Sequence, residues 1–191
     1  MGKTKYDIFN PPGGLLIWIV IVLELLTFGI ALLVMQNFEL AEPKIFAESR
    51  QHLSSRLGTL NTVILLTSGL FVVLSLNNYK ILKHSTARIQ LNFSVILGLV
   101  FLIVKFTEYQ LKLSSGITLS TNTFFTFYFL ITGFHAVHVA LGILIFVIFI
   151  QKIKSQKLKP EDFEAGAAFW HMCDLIWLII FPIIYLKWNQ L

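Results

Sequence analysis

The sequence predicts an all-α polytopic membrane protein, a single domain built as a bundle of five transmembrane helices. Three observations predict it. Mean hydropathy is +0.77, and 56% of the residues are hydrophobic against 13% charged. Soluble chains carry roughly a quarter charged residues, so this chain cannot coat a water-soluble ball. The apolar residues also fall into five long charge-poor runs, and about 20 such residues span the hydrocarbon. Finally, the runs are solidly apolar. Bilayer strands must close into a barrel and would alternate apolar with polar residues over about 10 positions. The same composition excludes a disordered chain, a collagen-like fibre and a nucleic-acid module. The net charge of +5 sits in short segments between the runs, as membrane topology requires.

The first span, about residues 15–36, follows the stop Asn10-Pro11-Pro12-Gly13-Gly14 and carries one charge, Glu24. It is too long for a signal-peptide core and no small-residue cleavage site clearly follows, so it is read as a retained span. The second, about 58–77, is uncharged. The third, about 89–109, holds Lys105 and Glu108 near its end. The fourth, about 123–150, is uncharged, and the fifth, about 165–187, begins after Pro160 and contains Asp174. Cys173 has no cysteine partner for an intrachain disulfide. Nine Lys and Arg fall on the amino-terminal side (Lys3, Lys5, Lys80, Lys83, Arg88, Lys152, Lys154, Lys157 and Lys159) and five in segments on the other (Lys44, Arg50, Arg56, Lys112 and Lys187), with Lys105 within a span. That excess predicts a cytoplasmic amino terminus and an outside carboxyl terminus.

An ionisable side chain at mid-bilayer costs roughly 2.5 to 3.5 kcal/mol on insertion scales, so each one calls for a partner. Glu24 reads either as a proton-exchanging or gating carboxylate or as a neutral acid tying two helices together. His135 and His138 stand three apart on one helix face. That spacing permits a metal pair, which would need ligands from other helices, and equally suits interhelical hydrogen bonds. His171 and Asp174 repeat the spacing. Either the acid fixes the imidazole tautomer, or the two form a neutralised pair inside the bundle, with Trp170 and Trp177 at packing or interfacial positions. Lys105 and Glu108 read as an ion pair that lets Lys105 snorkel. Gly98, Gly133, Ala136, Ala140 and Gly142 permit close helix approach. The sequence has no nucleotide-binding glycine loop, paired-cysteine motif or nucleophile elbow.

The last two spans carry a specific pattern: Gly133-Phe134-His135-Ala136-Val137-His138-Val139, then Phe163-Glu164-Ala165-Gly166, then Trp170-His171-Met172-Cys173-Asp174-Leu175-Ile176-Trp177. Upstream, in order, come Trp18 with Glu24, Asn61-Thr62 with Ser68-Gly69, and Glu108-Tyr109. From about Trp18 to Trp188 the chain resembles subunit III of the haem-copper oxidases, the cytochrome c oxidase family. The resemblance implies that Glu24 corresponds to the intramembrane carboxylate that reacts with hydrophobic carbodiimide. It implies a polar bracing or lipid-contact set of Asn61, Ser68, Glu108, Tyr109, His135, His138, Glu164, Trp170, His171, Asp174 and Trp177. It also implies no catalytic residue, haem, copper or other metal in this chain, the haem and copper belonging to partner subunits.

The partners implied are oxidase subunit I through direct helix contacts, subunit II and other respiratory subunits, and a bound phospholipid, with no nucleic acid. The expected role is to sustain proton uptake, turnover and complex stability. A seven-helix family form exists, and the five spans here fit the five-helix bacterial form of an inner membrane. Its lipid groove is expected between parts of the first, fourth and fifth spans. The chain departs from the family pattern at Ala136 (a usual glycine), Lys105 (commonly glutamine) and Leu76-Asn77 (a histidine-bearing helix end). Other readings are the third subunit of a quinol oxidase or nitric oxide reductase and, from other classes, a small proton-coupled transporter or channel or a lipid-embedded assembly factor. The absence of an internal repeat and of matching Gly/Pro-broken helices argues against a transporter.

Overall fold

The computed structural model describes residues 11–186; Lys3, Lys5, Asn10, Lys187 and Trp188, used above, lie outside them. The described residues form six helices and no strand: α1 (Leu15–Ala41), α2 (Pro43–Gln51), α3 (Ser55–Lys80), α4 (His84–Ser114), α5 (Thr123–Lys154) and α6 (Pro160–Tyr185). All but α2 are long and apolar enough to cross a membrane, which makes the chain a multi-pass membrane protein. The shortest of the five has 26 residues, roughly 39 Å at 1.5 Å per residue. The helices therefore run past the hydrocarbon into the headgroup layers. Helix α2 was not foreseen. It starts with Pro43 in its first turn, where the missing N–H costs nothing. With only Phe46 and Ser49 buried, it is too short and polar to register as an apolar run.

Helices α3, α4, α5 and α6 form a closed ring in which each packs on its two neighbours, while α1 lies outside in the seam between α5 and α6. Helix α1 buries a single stripe, Ile21, Phe28, Leu32 and Met35. Its remaining apolar surface, Leu16, Leu23, Ile30 and Leu33 among it, faces outward. Helix α2 folds over one end of the bundle against α1 and α5. There Asn122 caps α5 by accepting from the Phe125 N–H at 3.0 Å and donates to Ser49 Oγ at 2.9 Å. At the same end Arg50 pairs with Glu39 of α1 and donates to the Ile183 carbonyl of α6. At the opposite end Lys80 pairs with Glu164 at 2.6 Å and the Tyr79 hydroxyl donates to the Leu158 carbonyl.

The α3–α4 seam follows a heptad. Asn61, Ser68 and Ser75, seven residues apart and all buried, donate to the carbonyls of Phe101, Ser94 and Ala87, which step back by seven along α4. Leu65, Val72 and Tyr79 fill the intervening buried positions. This is an antiparallel coiled-coil seam with small polar groups in place of half the usual apolar knobs.

Tight approach also occurs around Trp170. A Cβ on Gly142 would lie 2.6 Å from its indole ring, and one on Gly98 2.8 Å. Of the small residues singled out from sequence, these two glycines admit a neighbour. A Cβ on Gly133 would meet only the Tyr109 hydroxyl at 3.7 Å, and Ala140 is exposed. Replacing Gly142 with leucine is expected to push α5 and α6 apart and cost about 1–3 kcal/mol, the usual range for overpacking. Gly29→Ala, where nothing lies within 4 Å, should be neutral or slightly stabilising, since alanine is the better helix former. Thermal unfolding of the two variants in one detergent checks the contrast.

Candidate functional site

The polar residues inside the bundle form three groups; Trp177 of α6 touches two of them, through His135 and Lys105. The first bridges α1 and α5. Glu24 lies nine residues into α1, about 13 Å along the helix at 1.5 Å per residue, and its Oε2 is 3.2 Å from His138 Nε2. The other ring nitrogen of His138, Nδ1, is 2.9 Å from the Phe134 carbonyl. A carbonyl can only accept, so Nδ1 carries hydrogen and Nε2 presents its lone pair to Glu24 whenever the ring is neutral. The two side chains are within ion-pair reach but are not aligned as a hydrogen bond.

His135, one turn away, turns inward. It is fully buried, neither ring nitrogen has a hydrogen-bond partner, and it stacks on Trp177 at 5.3 Å with the Phe101 ring edge-on. The two histidines thus do not converge on a common point. Among the described residues no group of three His, Cys, Asp or Glu is placed to hold a metal.

The second group is His171 with Asp174. His171 Nδ1 donates to Asp174 Oδ2 at 3.1 Å, and the same carboxylate lies in the space over Gly69, where a Cβ would collide with it. The pair is split between environments: the Asp174 side chain is 9% exposed and that of His171 42%. Asp174 Oδ1 is buried without a partner.

The third group corrects an expectation. Lys105 does not snorkel; it is 2% exposed and turns into the ring. Its Nζ reaches Glu108 Oε2 at 3.0 Å and the hydroxyls of Tyr185 at 2.7 Å and Tyr128 at 3.3 Å. All three ammonium hydrogens therefore have acceptors. The rings of Tyr109, Tyr128, Tyr185 and Trp177 surround it at 4.7 to 5.7 Å, a cation–π cage that replaces part of the lost hydration. Tyr185 donates in turn to Glu108 Oε2 at 2.8 Å. With three acceptors and four aromatic faces inside, the headgroup layer offers Lys105 no better partner.

The remaining candidates are dispersed. Asn61 and Ser68 belong to the α3–α4 seam. Tyr109 shares a 2.5 Å hydrogen bond with Thr132, and Trp177 Nε1 donates to Thr62 at 2.9 Å. Trp170 is packed between α4 and α5 without a partner for its N–H. Glu164 sits at the far end with Lys80. Sequence reasoning missed Tyr128, Tyr185, Thr132 and Lys112. Lys112 was counted as a loop cation but lies in α4, buried, four residues past Glu108, and the spacing Lys105, Glu108, Lys112 on one helix face was the available signal. A recess of about 290 Å³ between α1 and α5 is lined by Thr27, Phe28, Ala31, Phe127, Leu130, Ile131 and Phe134. All seven lie on α1 and α5, and none on α6.

Lys105→Met should destabilise the bundle by about 3–5 kcal/mol, since it strands the Glu108 charge in the interior. Adding Glu108→Gln should recover most of that loss. A double-mutant cycle on the unfolding of the purified chain reads the coupling, and additive costs would show that the two residues act independently.

The profile of the family described as Cytochrome c oxidase subunit III matches residues 51–190, which contains the whole α3–α6 ring. The matched segment begins after α1, so Glu24 precedes it. Among individual proteins, "Cytochrome c oxidase subunit 3" of Schizophyllum commune is 35% identical over 128 residues, 65% of this chain and 47% of that protein. The proteins of that name from Rhipicephalus sanguineus and Drosophila melanogaster are each 33% identical, over 132 and 129 residues, 66% of this chain and 49% and 48% of theirs. The chain spans about half the length of the curated relatives it matches. With the match running through every helix of the ring, this chain belongs to the cytochrome c oxidase subunit III family.

Proposed function

We propose that the chain is a non-catalytic third subunit of a respiratory haem-copper oxygen reductase, a cytochrome c oxidase, in its five-helix bacterial form. The observation that carries the reading is the family match across the whole α3–α6 ring. In this reading electron transfer and oxygen chemistry fall to haem and copper in subunits I and II, and this chain docks on subunit I through its apolar helix faces. Packing and small residues drive that docking, because lipid tails leave no hydrophobic drive between helices. The α1–α5 recess takes a phospholipid acyl chain along Phe28 and Phe134. The last turns of α3 and α5 and the loops that follow them carry Lys80, Lys83, Lys152, Lys154, Lys157 and Lys159, which supports a cytoplasmic face at that end.

Within this role the chain's own residues hold protons and brace helices. Glu24 and His138 form a carboxyl–imidazole pair across α1 and α5. In this reading a proton on Glu24 passes to the His138 Nε2 lone pair, 3.2 Å from Oε2, once the two side chains turn into line. His171 with Asp174, and Lys105 with Glu108, tie turns of α6 and α4 in place.

Purification from native membranes through this chain should bring down a haem protein in fixed ratio. That complex should oxidise reduced cytochrome c in preference to quinol, and haem spectra with donor assays check it. Recovery of the chain without any haem protein would remove the reading, while a quinol preference would reassign the donor. In the same complex, Glu24→Ala should change the initial rate of oxygen consumption by less than about twofold, about 0.4 kcal/mol of barrier, yet shorten the time over which turnover is sustained. Loss of haem from the assembled complex would contradict the proposed place of Glu24.

A further inference from the structure

A recess of about 180 Å³ opens beside the carboxyl end of α4, walled by His52, Ser54, Glu108, Lys112, Ser115 and nearby apolar side chains. It adjoins a second recess of about 460 Å³ that shares His52, Ser115 and Ile117 with it. Two buried charges of opposite sign stand in its wall. Glu108, 3% exposed, has Oε2 held by Lys105 and Tyr185, but its Oε1 has no hydrogen-bond partner. Lys112, 6% exposed, donates to the His52 carbonyl at 3.1 Å and stands 3.9 Å from Glu108 Oε1, beyond hydrogen-bond distance. An ammonium has three donors, so two remain for a ligand.

The charges balance locally. Lys105 is paired with Glu108, and Lys112 lies in the last turn of α4, where the helix dipole offsets a positive charge. The site therefore calls for a ligand of no net charge that offers a donor to Glu108 Oε1 and acceptors to Lys112. The start of α3, whose N-cap Ser54 lies in the wall, adds donors for the ligand's acceptor atoms. Ser54 takes up the Leu57 N–H, which leaves the Ser55 and Arg56 amides without acceptors in the helix, and such an end attracts a phosphate.

We propose that this recess binds an amine–phosphate zwitterion of the phosphoethanolamine type, free or as the headgroup of a phospholipid. The ammonium meets Glu108 Oε1 and the phosphate meets Lys112, so that charges alternate around the site. It lies at the α3–α4 rim, away from the apolar recess between α1 and α5, and does not depend on the assembly proposed above.

The test uses the full chain purified in mild detergent, titrated with phosphoethanolamine, inorganic phosphate and ethanolamine. Phosphoethanolamine should bind at least about tenfold more tightly than either fragment, 1.4 kcal/mol or more. Lys112→Met and Ser115→Trp, the second filling the mouth from an exposed position without touching the Lys105 network, should each abolish binding while leaving the unfolding temperature of Ser115→Trp unchanged. In nanodiscs of phosphatidylcholine containing a minor fraction of phosphatidylethanolamine, selective retention of the latter assigns the site to the lipid. Binding of the soluble compound without such retention assigns it to the free zwitterion. Phosphate binding as tightly as phosphoethanolamine, or binding that survives both substitutions, would overturn the proposal.

Discussion

The hydrocarbon interior supplies no water, so every polar side chain placed there must find its partner within the protein. The arrangement of this bundle follows from how that constraint is met. Along α3 it is met by side chains short enough to reach the backbone of α4, and they recur every seven residues because only that spacing keeps them on the contact line. Around Lys105 it is met by drawing α4, α5 and α6 together on one ammonium, with Tyr128 and Tyr185 each supplying a hydroxyl and a ring face. Helix α1, outside the ring, carries a single ionisable group in its span, and one imidazole on α5 lies within ion-pair reach of it.

The constraint is not met everywhere. Both nitrogens of His135, one oxygen each of Glu24, Asp174, Asn61 and Glu108, and the Trp170 N–H are buried without a hydrogen-bond partner. His135 and Trp170 are held by packing instead, one stacked on Trp177 and the other lodged against Gly98 and Gly142. Shape complementarity therefore holds these two side chains, where hydrogen bonds do not. The half-exposed His171 differs from both, being a polar side chain at the outer face of α6 with its second ring nitrogen directed away from Asp174.

Much of this was legible in the sequence. Apolar run length and the lack of alternation give five helices directly, and Glu24, His135, His138, Glu108 and Asp174 stand out because charge within a span is costly. Pairing at i, i+3 was legible too, since His171 with Asp174 and Lys105 with Glu108 are local. What sequence did not reveal is the long-range partner of each group. Tyr128 and Tyr185 look like ordinary aromatic residues until the ring closes on Lys105. Ser75, seven residues after Ser68, was lost in a run whose hydropathy it barely lowers. The direction of Lys105 also depends on two other helices, α5 and α6, so a rule for helix ends pointed it the wrong way.

The heptad seam has a further consequence, for the order in which the chain acquires its structure. Helices α3 and α4 are joined by three residues, Ile81 to Lys83, and Leu82 holds a left-handed φ of 62° that a side chain seldom adopts. A turn with so poor a local preference does not set the alignment of its helices; the three rungs beyond it do. A shift of one helical turn would break all three rungs together, so the hairpin has one register and contacts close in sequence with which to find it. Such a unit can form as soon as both helices have entered the bilayer, since local pairing is kinetically favoured. It then offers the completed surface on which α5 and α6, arriving later in the chain, close the ring.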